Sequence, residues 1–208
     1  MASFCVPFHP DQHGFAFPNR FERALRAGGR KISYGLCGGM CFAALDYWHA
    51  GIPIPAVGEA PQKGPLWAYL VRRQIDSLSL PWGVLCILWW MLQCDERLLE
   101  WTLGRELARL RVHLARGEPA VLVLVRKVRL ASITENHQVV AIALEEDELA
   151  REVMIRLYDP NSPGEAGAIV IHRAASTPEE ALCEVTGEPL RGFYVARYRP
   201  RRKGLPRL

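Results

Sequence analysis

Two cysteines, Cys37 and Cys41, stand four residues apart in the stretch GLCGGMCFAALDYW. Thiols this close could clip a metal, cycle as a redox pair, supply half of a disulfide, or set a nucleophile on the front of a helix. A structural zinc site takes four ligands, normally as two short Cys/His pairs. This C-x3-C pair has no second pair to complete it. A thioredoxin-type couple uses C-x-x-C at a helix start, one residue shorter. Across a helix start the two sulfurs point in different directions, which is poor geometry for a disulfide. Two plain core thiols remain a sound reading, but the position of Cys37 argues for more. It precedes Gly38, Gly39 and an apolar helical run, so its thiol lies in the field of a helix N-terminus that stabilises a thiolate. Gly38 and Gly39 remove side chains where a substrate carbonyl must approach, and leave backbone N–H groups to meet a developing oxyanion. Cys41, one turn on, reads as a packing residue.

A thiol nucleophile needs a base, and the base needs an orienter. Of the six histidines, His9 and His13 fall in the N-terminal arm, His49 and His113 at helix ends, and His172 at the end of an apolar strand. His137 differs. It opens the run HQVVAIAL, so its ring belongs to a sheet rim, and the polar residues around it suggest a wet pocket edge. Asp159, in LYDPN, ends the following strand, where a carboxylate could hold the ring and stabilise the imidazolium. Asp-Pro-Asn also builds a turn unaided, and Asn161 is the alternative third member.

These residues must be positioned by two kinds of element. The first part of the chain is helical in pattern. A short helix is expected over FPNRFERALRAG, capped by Asn19 and closed by Gly28. The cysteine helix is apolar on most of its circumference and stops near Gly51. A second helix runs from Pro65 to about Leu78, with Leu66, Tyr69, Leu70 and Ile75 inward and Arg72, Arg73 and Gln74 outward. Segments 82–94 and 95–117 continue the helical period. Strands then follow at 119–128, 137–144, around VMIRLYDPN, and in GAIVIHR and GFYVARYR, with a short helix over TPEEALCEV opened by Pro178. Helices first and an antiparallel sheet afterwards mean an α+β fold.

With 208 residues, half of them hydrophobic and 23% charged, the chain can bury a real core. Residues 1–30 form an arm packed by its aromatics, 31–198 the main domain, and 199–208 a basic tail expected to be solvated and frayed. The net charge of +4 sits largely in that tail, not over a face, so nucleic acid is not an expected partner. No secretory signal opens the chain. Six cysteines without a regular framework read as free thiols in a reducing cytoplasm, with Cys86, Cys94 and Cys183 packed as small hydrophobes. The run WGVLCILWWML, residues 82–92, is too short to span a bilayer. It is expected as a core helix, with a weak membrane-surface or partner contact through its tryptophans as the alternative. No metal or cofactor is expected, and the oligomeric state is not legible.

The three segments together resemble papain-like cysteine peptidases, nearest the bacteriocin-leader-processing branch. CGGMCFAALDYW resembles that branch's nucleophile helix, with Cys37 on its cysteine, Gly38 on its glycine and Gly39 on its proline. NHQVVAIAL resembles its histidine strand, and LYDPN the strand end carrying its aspartate. The resemblance implies a helical lobe bearing the cysteine, packed on an antiparallel sheet bearing His137 and Asp159. It also implies thioester chemistry on a peptide or protein substrate. Two positions depart from the family: Lys31 stands where a glutamine completes the oxyanion hole, and Leu36 where an acid precedes the cysteine. Asn19 and Gln12 are the candidate substitutes, which makes Gly38 and Asn19 the expected oxyanion donors. Related transglutaminase, deamidase and amidase chemistries use the same trio, and a catalytically inactive binding module on the same scaffold is the rival reading.

Overall fold

An aliphatic run with no polar interruption favours a strand covered on both faces, and the run that begins at His137 becomes the central strand of the molecule. The computed structural model describes residues 2–24, 31–126, 136–175, 178–184 and 190–207. In chain order they form β1 (Ala2–Cys5), α1 (Pro10–His13), β2 (Phe21–Ala24), β3 (Lys31–Tyr34), α2 (Cys37–Ala50) and α3 (Gly64–Ser77). Next come α4 (Trp82–Met91), α5 (Asp95–Trp101), a π-helical turn (Thr102–Glu106) and α6 (Leu107–Ala115). The second part holds β4 (Ala120–Val125), β5 (His137–Asp147), β6 (Glu152–Tyr158), β7 (Ala166–His172), α7 (Pro178–Ala181), β8 (Leu182–Glu184) and β9 (Gly192–Val195). The class is mixed α+β, with helices on an antiparallel sheet of order β8-β7-β6-β5-β4-β9.

β5 is long enough to need two partners on one edge. Its first half pairs with β4, from Leu124↔His137 to Ala120↔Ala141. Its second half pairs with β1, from Cys5↔Ala143 to Ala2↔Glu146. On the other edge, pairing with β6 slips between Ala141 and Ala143, so Ile142 is the extra residue of a bulge. The arm is therefore more than an aromatic wrap: it supplies a strand to the main sheet, and Phe8, Phe15, Phe17 and Phe21 enter the same core.

α2 lies between the sheet and α3, which explains why nearly every residue from Gly38 to Tyr47 is buried. It ends in a left-handed Gly51, whose N–H returns to the last turn. The glycine pair at its start has a packing reason that spacing alone did not reveal. A Cβ at Gly39 would lie 2.3 Å from the Leu70 carbonyl oxygen of α3, and one at Gly38 would lie 2.2 Å from Ser77 Oγ and 2.7 Å from the Gln138 amide. Backbone and buried side chains, not an open approach path, occupy that space.

Buried Asp46, on α2, ties this helix to α3 and to the end of the chain. Its carboxylate accepts from Tyr69 Oη (2.8 Å), Tyr198 Oη (2.8 Å), Arg73 Nη2 (3.1 Å) and the Arg201 N–H (2.7 Å). Burial pushes the Asp46 carboxyl upward, against the opposing pull of these donors. The Arg73 guanidinium also stacks on Phe42, 4.9 Å from the ring centre. The tail expected to be frayed is docked here, since Tyr47 Oη also donates to the Pro206 carbonyl (2.6 Å) and Leu205 packs on the core.

Other expectations are corrected locally. Phe21–Ala24 is a strand paired with β3, not a helix capped by Asn19, because Asn19 is recruited elsewhere; residues 25–30 lie outside the described residues. On α3, Arg73 is buried and Ile75 is 52% exposed, since Asp46 supplies a buried counter-charge that a periodicity argument cannot see. Segment 82–92 is a surface helix: Trp90 and Met91 are buried, whereas Trp82, Leu85, Trp89 and Leu92 face solvent. Cys94 and Cys183 are exposed and Cys86 only half-buried, so apolar sequence neighbours did not make them core residues. The helix over TPEEALCEV shrinks to Pro178–Ala181, because Leu182–Glu184 pairs with β7 as an edge strand.

Two substitutions test this packing. Gly39→Ala is expected to cost about 1–3 kcal/mol through overpacking, seen as a lowered Tm, whereas Gly104→Ala, with nothing near its added Cβ, should cost nothing. Asp46→Ala removes the buried counter-charge of Arg73, leaving it Asp76 and the Arg199 carbonyl, and is expected to cost about 3 kcal/mol by chemical denaturation.

Candidate active site

Three segments far apart in sequence meet where α2 and β5 begin and β6 ends. Cys37 is the first residue of α2, His137 the first of β5, and Asp159 follows the last residue of β6. The β5–β6 ladder, in which Val140 faces Tyr158, runs the chain beyond β6 alongside His137. His137 Nε2 lies 2.7 Å from Asp159 Oδ1, and both side chains are buried. The same His137 side chain acts on the Cys37 thiol, by hydrogen bonding and by charge. The site is drier than the wet pocket edge expected for His137, which is only 5% exposed.

The Asp-Pro-Asn segment acts as turn and site together. Asp159 Oδ1 accepts the Asn161 N–H at 2.7 Å, and the Asp159 carbonyl accepts the Ser162 N–H at 3.0 Å. This turn leaves one carboxylate oxygen shared between backbone and imidazole. Asn161 Nδ2 is 3.3 Å from His137 Nε2, a longer approach than that of Asp159. Arg126 adds positive charge near Asp159 while forming a two-point pair with Glu184, at 2.8 and 2.7 Å.

Asn19 turns out to be a tether. Its Oδ1 accepts the Leu36 N–H at 2.5 Å, its Nδ2 donates to Asn161 Oδ1 at 3.2 Å, and its own N–H donates to the Pro160 carbonyl at 2.9 Å. One side chain thus joins the residue before the nucleophile to the loop carrying Asp159. A Cβ at Gly35 would fall 2.8 Å from that amide, so the preceding glycine makes room for it. Gln12 sits exposed in α1.

The electrostatics follow from burial set against these contacts. Burial pushes the Cys37 thiol up, but the hydrogen bond and charge of His137, with the N–H groups of Gln138 and Gly38, bring it below its ordinary value. Burial pushes His137 down, but Asp159 and the Cys37 sulfur outweigh it and raise the imidazolium to about 10. Asp159 is lowered, because the His137 contact overcomes its desolvation. Both shifts run in the direction that favours a thiolate beside an imidazolium. Cys41 is the contrast: fully buried, its Sγ donating 3.3 Å to the Gln138 carbonyl, it is raised well above the usual thiol range.

Three polar residues of this neighbourhood were not singled out from sequence as site residues. Gln74 Oε1 accepts the Gly39 N–H at 2.7 Å, capping α2 from the neighbouring helix. Ser77 and Gln138 fill the space behind Gly38, with Gln138 Nε2 3.4 Å from Ser77 Oγ. A buried glutamine in an otherwise aliphatic strand was the available signal for Gln138; Gln74, on a presumed solvent face, gave none. Among the described residues, no group of three or more His, Cys, Asp or Glu side chains is arranged to hold a metal ion. No family model matches the chain, and comparisons with curated proteins and with solved structures found no match.

The charge balance has a direct readout. Alkylation of Cys37 by iodoacetamide, followed by peptide mass spectrometry across the neutral range, should rise at a pH below that of an ordinary thiol. In His137→Ala the imidazolium is gone and burial is opposed only by the Gly38 and Gln138 N–H groups, so the midpoint should move up, above about 8.5. Cys41 should stay unmodified in both.

Proposed function

We propose that this protein is a thiol-dependent acyl-transfer enzyme with a papain-like catalytic layout, acting most simply as a cysteine peptidase or amidase. The observation that carries the proposal is the contact of Cys37, His137 and Asp159, with the thiol lowered and the imidazole raised by each other. A helical part bearing the cysteine against an antiparallel sheet bearing the other two supports the papain-like reading.

In the proposed reaction the Cys37 thiolate attacks a substrate carbonyl, forming the carbon–sulfur bond as the carbonyl oxygen becomes an oxyanion. Free backbone donors are the natural partners for that charge. The Gly39 N–H is taken by Gln74 and that of Gly38 faces the sulfur, so the Cys37 N–H at the helix start is the assigned donor. The His137 imidazolium protonates the leaving amine as the carbon–nitrogen bond breaks, leaving a thioester and neutral imidazole. His137 then removes a proton from water, the hydroxyl adds to the thioester, and the thiolate is expelled as the carboxylic acid is released, which restores the starting pair. Asp159 remains ionised throughout and keeps the ring turned toward sulfur. An amine in place of water gives transamidation by the same steps. The free thiols suit a reducing compartment, and the proposal places the protein in the cytoplasm. Among the described residues no helix is long and apolar enough to cross a membrane.

Trapping tests this reading. Activated acyl donors, such as peptide thioesters, should leave an acyl adduct on Cys37 that is visible by intact mass and discharged by hydroxylamine. Cys37→Ala should form none, and His137→Ala should acylate on the order of 10²–10⁴ more slowly. Equal labelling of Cys94 and Cys183, with Cys37 untouched, sinks the proposal.

A further inference from the structure

From Ser77 to Cys94 the chain carries no charged residue, yet α4 in the middle of this stretch lies at the surface. Trp82, Leu85, Trp89 and Leu92 recur at helical spacing on one stripe, and they are 76%, 52%, 58% and 63% exposed. Leu80, just before the helix, is exposed as well. α4 is anchored from below by Trp90, which packs on Trp101 and Tyr194. The stripe therefore points outward from a fixed base.

The flank of the same helix opens onto a pocket of about 730 Å³ whose walls include Trp82, Trp90, Phe42 and Tyr194. The facing rim is basic. Arg105, Arg109, Arg197, Arg199 and Arg201 line it against Asp76 and Glu106, with Arg73 buried behind them. Glu106 is buried and holds Arg105 and Arg109 at 2.8 and 2.9 Å, while their side chains remain 60% and 50% exposed. Arg197 and Arg199 are exposed. The arrangement is a short helix with indoles at its solvent face and guanidinium groups along one side.

We propose that this face docks on an anionic phospholipid surface, with α4 lying in the plane of the interface and the arginines against headgroup phosphates. Indole rings favour the boundary between headgroups and acyl chains, and a helix with an apolar stripe beside basic residues is the form that lies on a membrane. At ten residues the helix spans about 15 Å, so it rests on the surface and does not cross it. Charge complementarity favours anionic lipid, each nearby arginine adding attraction that salt screens. An uncharged apolar stripe is better matched to a fluid apolar layer than to an acidic protein, which would leave the indoles without a complementary surface. Docking would be reversible, and independent of the proposed acyl transfer, because neither Cys37 nor His137 contributes.

The test uses the full chain with phosphatidylcholine vesicles, with and without a third of phosphatidylglycerol. Co-sedimentation is expected with the anionic vesicles, weakening as salt rises, and brominated lipid should quench tryptophan fluorescence. Trp82→Ser/Trp89→Ser should reduce binding by about tenfold or more and abolish the quenching. Arg197→Gln/Arg199→Gln should reduce binding about tenfold while leaving the thermal melt unchanged. Cys37→Ala should bind as wild type, which separates this result from the fate of the acyl-transfer reading. Failure to sediment with anionic vesicles overturns the proposal. So does equal binding to neutral ones, binding untouched by the tryptophan changes, or retention on poly-glutamate without any vesicle binding.

Discussion

Neither a thiolate nor an imidazolium is welcome in an apolar interior, and here each of the two groups shifts the other toward its charged form. Burial alone would leave Cys37 protonated and His137 neutral. Their contact, the Asp159 carboxylate behind the ring and the N–H groups of Gly38 and Gln138 reverse both tendencies. The two shifts are therefore a property of the assembled site, and no one side chain carries the effect by itself. Each group in the row has an opposite charge or a hydrogen-bond donor within reach.

Much of the surrounding structure can be understood as holding those partners in register. β5 brings His137 to the start of a strand that is paired on both edges, and the antiparallel register with β6 delivers Asp159 next to it. The glycine pair lets α3 come close enough for Gln74 to cap α2 and for Ser77 and Gln138 to fill the space behind Gly38. Asn19 joins the Cys37 side to the Asp159 side through three hydrogen bonds. The five-residue π-helical turn plays a similar part at the β9 edge of the sheet, where buried Glu106 accepts the Val195 N–H and the Thr102 hydroxyl accepts the Phe193 N–H.

What could be read from the residues beforehand was whatever local pattern determines. The aliphatic strand after His137, the apolar helix after Cys37 and the turn at Asp159 each announce themselves, and with them the α+β class. Arrangements set by tertiary pairing were not legible. Arg73 looked like a solvent-facing residue because its partner Asp46 lies on another helix. Asn19 looked like a helix cap because the same amide chemistry serves a cap or a tether equally well. Gly38 and Gly39 suggested an open approach, whereas the cause is the carbonyl of Leu70 and the side chains of Ser77 and Gln138. α4 looked like core on composition, but burial depends on what packs above it, and one apolar stripe was left uncovered.

Asp46 carries a consequence for the order in which the protein is made. Its carboxylate draws donors from Tyr198 and Arg201, and Tyr47 beside it reaches Pro206. The helix that carries Cys37 therefore receives supports from residues more than 150 positions further along the chain. Until the strand bearing His137 has been translated as well, the nascent chain lacks the imidazole that lowers the Cys37 thiol. The local pattern builds the helix, and the far end of the fold sets the character of its first residue.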